Sequence, residues 1–259
     1  MAATLILVAL TPTAFLLPGA APRVATTRCG LPVRCSDSMP DAAKDAVPAS
    51  ELAEAWRRDE KATELVEMLK GCSVYVIGLG ARKSAVGRVL SRRLKYRSYD
   101  VSNLMCSTYA ALQGSKEVLS LPQLVAKEPL QDVEQLSNAV LREVQQFTRS
   151  VFVAWDGGVD TASFAVMQQG LIVNLQFEAT VDDDVALPEK DGEAAKEAWV
   201  EGHGKADIAV KVPSGSAADD ASNLVVDALI AYIKANPAKS SEWKAEADAK
   251  LAAKDEEEE

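Results

Sequence analysis

Residues 73–103 read S-V-Y-V-I-G-L-G-A-R-K-S-A-V-G-R-V-L-S-R-R-L-K-Y-R-S-Y-D-V-S-N, and the rest of the chain is organised around them. Residues 74–77 form a short β-branched and aromatic run, the composition of a buried strand. Gly78 and Gly80 interrupt it. Over 83–94 the apolar residues Val86, Val89, Leu90 and Leu94 recur at helical spacing. A strand, a glycine turn and a helix make an anion-binding element in principle, because free N–H groups at a helix N-terminus attract phosphate.

The same alternation runs through the chain on both sides. Upstream, Ser50 suits the N-cap of a helix over 50–69, with Leu52, Ala55, Trp56, Leu65, Val66 and Leu69 on one side and Gly71 closing it. Downstream, a second strand is expected at 97–100, then a helix from Asn103 to about 113. Residues 121–147 read as two helical pieces broken at Pro129. A third strand at 151–155 runs into Asp156-Gly157-Gly158. A helix over 161–169 stops at Gly170, and a fourth strand covers 171–177. The acidic stretch 182–202 is expected to be helical around 193–200. Residues 207–212 make a fifth strand, and 219–235 a helix with Leu224, Val225, Leu229, Ile230 and Ile233 inward. Five strands alternating with helices imply an α/β domain over 50–236, a five-stranded parallel sheet with helices on both faces.

Composition narrows the function classes. Of 259 residues, 48% are apolar and 25% charged, as in an ordinary globular domain. No apolar run reaches the ~18 residues of a membrane span. Residues 1–36 hold a short apolar segment at 5–10, then Arg23, Arg28 and Arg34, with no acid before Asp37. A short hydrophobic run followed by a basic, acid-free stretch suits a cleaved leader of signal-plus-transit type, resembling that of algae with secondary plastids; a plain secretory signal is the alternative. Residues 37–49 read as a linker. The chain carries a net −10, and the leader contributes three arginines and no acid, so the remainder stands at −13. That balance argues against a nucleic-acid partner. Residues 237–259 form an acidic tail ending in Asp-Glu-Glu-Glu-Glu, read as a solvating segment. Cys72 and Cys106 read as small buried apolar residues. With His203 as the single histidine and no Cys-x-x-Cys, no zinc site is expected, and His203 reads as a loop residue.

Two phosphate-binding patterns compete over 78–87. The P-loop pattern is G-x-x-x-x-G-K followed by Ser or Thr, in which backbone N–H groups cradle phosphates, Lys reaches the outer phosphates and the hydroxyl holds Mg²⁺. Lys83 and Ser84 supply its last two positions. Measured from Gly78 the loop is one residue short, and Arg82 stands where the second glycine belongs. The dinucleotide pattern G-x-G-x-x-G fits Gly78 and Gly80 but meets Lys83 at its third glycine. Asp100 lies twenty residues after Gly80, where a ribose-binding acid would sit.

The downstream pattern favours the first. Residues 74–87, the run Ser-Tyr-Asp-Val-Ser-Asn at 98–103, Leu-Pro-Gln-Leu-Val-Ala-Lys-Glu at 121–128, Val-Leu-Arg-Glu-Val at 140–144, Asp-Gly-Gly at 156–158 and Lys-Ala-Asp-Ile-Ala-Val at 205–210 together resemble shikimate kinase. Within that family the chain looks most like the chloroplast shikimate-kinase-like proteins of plants, which are regarded as inactive. The resemblance implies a three-layer P-loop NMP-kinase-like fold. It makes Gly78, Gly80, Lys83 and Ser84 a degenerate nucleotide site. Asp100 becomes a catalytic remnant whose second acid is replaced by Ser102, and Gly157 and Gly158 a remnant of the substrate loop. Ser84 and Asp156 would hold a metal only if Mg-ATP binds. The substrate-binding arginine of the family falls near Val133-Glu134, a charge reversal. Two further arginines expected in and after the lid are missing, since the last arginine of the chain is Arg149. Lysines 190, 196 and 205 remain there, without the bidentate guanidinium fork.

The expectation is therefore a non-catalytic shikimate-kinase-like protein of the plastid stroma, with no cofactor, and a binding or regulatory role toward an unknown plastid protein or small molecule. An active ATP-dependent shikimate kinase or related small-molecule kinase is the first alternative, and a dinucleotide-binding Rossmann-like protein the second.

Overall fold

The computed structural model describes residues 49–178 and 185–237. The expected leader, nearly all of the linker and the tail from residue 238 lie outside the described residues. Thirteen elements follow in order: α1 (Ala49–Leu69), β1 (Val74–Gly78), α2 (Arg82–Leu94), β2 (Arg97–Asp100), α3 (Val101–Leu112), α4 (Leu121–Lys127), α5 (Leu130–Val144), β3 (Ser150–Val153), α6 (Thr161–Met167), β4 (Leu171–Phe177), α7 (Gly192–His203), β5 (Ile208–Val212) and α8 (Ala218–Ala235).

All strand pairings are parallel, and the sheet order is β2-β3-β1-β4-β5. β1 therefore lies at the centre, between β3 and β4. Dinucleotide-binding sheets keep β2 beside β1, in the order 3-2-1-4-5-6. The Rossmann-like alternative is overturned by this order, and the parallel sheet with helices on both faces is the expected three-layer α/β architecture. One face of the sheet is covered by α1, α2 and α8, through Leu65, Leu90, Val225 and Leu229. The other is covered by α3 to α7, where Met105, Leu141, Trp155 and Trp199 form a second apolar cluster. β1 is buried along its whole length, as a central strand covered on both faces must be.

Two glycines of the organising stretch are required by packing. Gly78 has φ +140°, and a Cβ there would stand 2.5 Å from the Leu175 carbonyl oxygen on β4. Gly87 lets α2 lie directly on β3, since a Cβ there would meet the Val153 side chain at 2.3 Å. Both therefore have a structural reason that needs no phosphate.

Several local expectations are corrected. Trp56 is 75% exposed and Ala55 is exposed, so the inward face of α1 begins only at Ala62, where α1 reaches the sheet layer. Leu224 is 39% exposed on α8; its neighbours Ala221, Val225 and Ser222 hold the inner face instead. α3 begins at Val101, because the Asp100 carboxylate accepts the Asn103 N–H at 3.3 Å and acts as the N-cap. His203 is not a loop residue but the buried end of α7. Cys72 and Cys106 are both buried, as expected of small apolar residues.

Candidate functional site

The connection between β1 and α2 is only three residues long, Leu79, Gly80 and Ala81. It faces the chain that leaves β3. The β1–β3 register pairs Val76 with Val153, and the Ala154 N–H donates to the Val76 carbonyl at 3.0 Å. That pairing carries the chain on beside the turn and delivers Asp156 to it.

Asp156 then takes the donors that a phosphate would need. Its Oδ1 accepts the Gly80 N–H at 3.0 Å and is hydrogen-bonded and ion-paired to Lys83 Nζ. Lys83 also donates to the Gly80 carbonyl at 3.0 Å, which fixes its ammonium inside the turn. Lys83 is 4% exposed and Asp156 3%. A buried ion pair with further hydrogen bonds is the arrangement that offsets the desolvation of both charges. The turn is thus closed around an internal carboxylate instead of presenting a cradle outward. Ser84, in the first turn of α2, is half-buried beside this pair in sequence; it and Asp156 would form the metal pair only if the carboxylate turned away from Lys83. With both donors committed, the residues as arranged do not fit a bound phosphate.

Arg82 points elsewhere. Its guanidinium lies over the Phe177 ring, 4.6 Å from the centroid, and donates to the Ser216 carbonyl at 3.3 Å. The side chain does not enter the turn; it bridges the end of β4 to the segment before α8.

The glycine pair after Asp156 is filled by tryptophan. Trp155 and Trp199 meet edge to face at 5.3 Å between centroids, and both are buried. A Cβ on Gly157 would stand 2.4 Å from the Trp155 ring and 2.8 Å from that of Trp199; one on Gly158 would stand 2.9 Å from Trp155. Gly202 plays the same part on α7, against Val159 at 2.8 Å. The two glycines of the expected substrate loop therefore make room for side chains of this protein. Gly157→Ala is expected to destabilise the fold by about 1–3 kcal/mol, the usual cost of overfilling a packed site; a chemical-denaturation midpoint equal to that of the parent would show that the tryptophans are free to move aside.

α7 closes the same region. Trp199 and His203 stand one turn apart and point to one face. His203 Nδ1–H donates to the Trp199 carbonyl at 2.5 Å, which leaves Nε2 as a buried nitrogen with no hydrogen-bond partner. Burial holds the imidazole down to a pKa of about 4, and the nearby Lys83 ammonium pushes the same way. The ring is therefore neutral near pH 7. Asn174 on β4 ties this end of α7 down by donating to the His203 carbonyl at 3.0 Å.

Two acids stand together on α5 and at the N-cap of α6. Glu134 is half-buried, and burial, then the charge of Asp160, raises its pKa. Asp160 is itself buried in part, yet its pKa is lowered by hydrogen bonds from Ser163 and Asn138. A substrate carboxylate brought here would meet two acids. Asp100 serves as the α3 cap described above.

The structure thus brings together Gly78, Gly80, Lys83, Ser84, Asp156, Gly157 and Gly158, and leaves Asp100 at the end of β2. Sequence reasoning missed His203 as part of this region; Trp155 and Trp199 suit either a cleft lining or a packed aromatic, and the structure packs them against each other. The i, i+4 spacing of Trp199 and His203, with small residues at 157, 158 and 202, was the available signal. Among the described residues no group of acidic, cysteine and histidine side chains is arranged to hold a metal ion, and no helix is long and apolar enough to cross a membrane.

No family model matches the chain. It is similar to a shikimate kinase of Rippkaea orientalis, 32% identical over 110 residues that cover 41% of this chain and 54% of that protein. A shikimate kinase of Gloeobacter violaceus is 34% identical over 109 residues, 41% of this chain and 56% of that protein. The chain spans about half the length of the curated relatives it matches. Among solved structures, shikimate kinase from Aquifex aeolicus aligns with a TM-score of 0.46 and 23% identity, over 64% of this chain and 98% of that one. Shikimate kinase from Acinetobacter baumannii in complex with shikimate aligns with a TM-score of 0.49 and 16% identity, over 62% and 93%. The likeness that sequence supports is to shikimate kinases.

Proposed function

We propose that this is a non-catalytic shikimate-kinase-like protein of the plastid, whose phosphate turn is neutralised from within and whose role is binding or regulation. The observation that carries the reading is the Asp156 carboxylate on Lys83 and Gly80, an internal anion in the place of a phosphate. The acidic pair Glu134–Asp160 and the tryptophans packed on Gly157 and Gly158 support it, because both disfavour an anionic substrate. No arginine follows Arg149, so no guanidinium is supplied by the segment after β4. Where an arginine stabilises phosphoryl transfer it is worth ~10³–10⁵ in rate. The plastid assignment rests on the basic, acid-free leader, and the absence of a nucleic-acid partner on the acidic body. The partner is a plastid protein or small molecule, and no cofactor is required.

One observation favours a second reading, an active ATP-dependent shikimate kinase or related kinase. Lys83, Ser84 and Asp156 are the three residue types of a magnesium–phosphate site, on the elements where such a site is built. The pair would then have to separate on nucleotide binding. A coupled assay with saturating Mg-ATP and shikimate separates the readings. No turnover is expected. Turnover near ~1 s⁻¹ or faster, abolished by Lys83→Ala, would establish the second.

A further inference from the structure

We infer a second site, for a small multiply charged phosphate-bearing molecule, at the opposite end of the sheet from the closed turn. A groove of about 490 Å³ opens there, between the end of α1 and the segment joining α2 to β2. Lys70, Arg93, Lys95 and Arg149 line it, against one acid, Glu67. In a body of net charge −13 such a local excess of cations needs a reason.

Three of the four cations occupy backbone positions that favour glycine. Lys70 has φ +50°, Lys95 +55° and Arg149 +53°. Lys70 and Lys95 each follow the last residue of a helix, α1 and α2, and Arg149 directly precedes β3. Helix ends of this kind are commonly closed by glycine, which carries no Cβ penalty in the left-handed region. A cation there does complement the helix dipole. That accounts for a charge near each helix end but not for three left-handed cations on one groove. Backbone ties hold the three segments together: the Arg149 N–H donates to the Gly71 carbonyl at 3.0 Å, and the Arg97 N–H donates to the Arg149 carbonyl at 3.1 Å. Arg93 is partly committed to Asp219 at 3.0 Å, so Lys70, Lys95 and Arg149 supply the available charge.

Tyr96 lies at the back of the groove with its hydroxyl enclosed beside Gly71 and Arg149, and burial pushes its pKa up to about 12, so it adds no negative charge there. Two flexible lysines and one arginine suit the several oxygens of a phosphate group.

The test is titration of the full chain with inorganic pyrophosphate at low ionic strength, followed by calorimetry and by backbone amide NMR. Binding is expected at about millimolar concentration or below. Shifts should centre on Gly71, Lys95, Tyr96 and Arg149, and affinity should fall as salt is raised. Lys95→Gly combined with Arg149→Gly should weaken binding about tenfold without lowering the thermal midpoint, since glycine relieves both left-handed positions. The inference is overturned by absence of binding, by undiminished affinity in the glycine pair, or by shifts centred on 78–83 instead. That last outcome would also contradict the closed-turn reading, whereas the first two leave it untouched.

Discussion

Asp156→Ala is expected to lower the free energy of unfolding by about 3–5 kcal/mol, the cost of leaving one charge of a buried pair uncompensated. Lys83 would keep only the Gly80 carbonyl as a partner, and the Gly80 N–H would lose its acceptor. Against a typical total of about 5–15 kcal/mol this is a large fraction, so urea denaturation resolves it easily. The double replacement Lys83→Met with Asp156→Leu should recover most of the loss, since apolar residues of similar volume often replace a buried pair at little cost. It also keeps the prediction testable should Asp156→Ala fail to fold. A loss below about 1 kcal/mol, the range of a surface pair, would mean that the pair is open to solvent and that the turn is not closed.

The second large effect is a pH dependence set by His203. Its ordinary pKa of 6.5 falls to about 4 in the folded protein, through burial first. Between those values the unfolded chain binds a proton that the folded chain does not. Stability is therefore full above about pH 6.5 and falls as pH drops toward 4, by about 1.4 kcal/mol per unit and about 3 kcal/mol in all. Asp160, whose pKa is lowered from 3.8, loses its contribution only below this window. Unfolding free energies measured at intervals from pH 7 to 4.5 should show the slope in the parent and lose most of it in His203→Gln. An equal slope in both proteins would place the imidazole in water.

How much of this was legible from sequence differs by element. β2 and β4 were expected at 97–100 and 171–177 and are found there, because each is a short β-rich run bounded by turn signals. The break at Pro129 likewise separates α4 from α5, since proline cannot continue a helix built before it. The strand order required the resemblance, because alternation fixes parallel strands without fixing their neighbours. Trp56 was misplaced because its spacing suits a helix face but α1 extends past the core at that end. At the site, the degradation of the turn was legible in Arg82, but its consequence was not. Sequence put Arg82 where the second glycine belongs; its side chain stacks on Phe177, and the turn is closed by Asp156. That contact joins residues 76 apart in sequence, and only the β1–β3 register brings them together. Gly157 and Gly158 were legible as a remnant loop; that Gly157 accommodates Trp199, more than forty residues later, was not.

The most direct test of the central claim is a calorimetric titration of Mg-ATP into the purified protein, with Lys83→Met/Asp156→Leu as the control for binding elsewhere. If Asp156 permanently holds Lys83 and Gly80, the parent should give no saturable heat beyond that of the control up to about millimolar nucleotide. Micromolar binding by the parent that is lost in the control would contradict the account, showing that the pair opens for nucleotide and that the turn remains a working phosphate site.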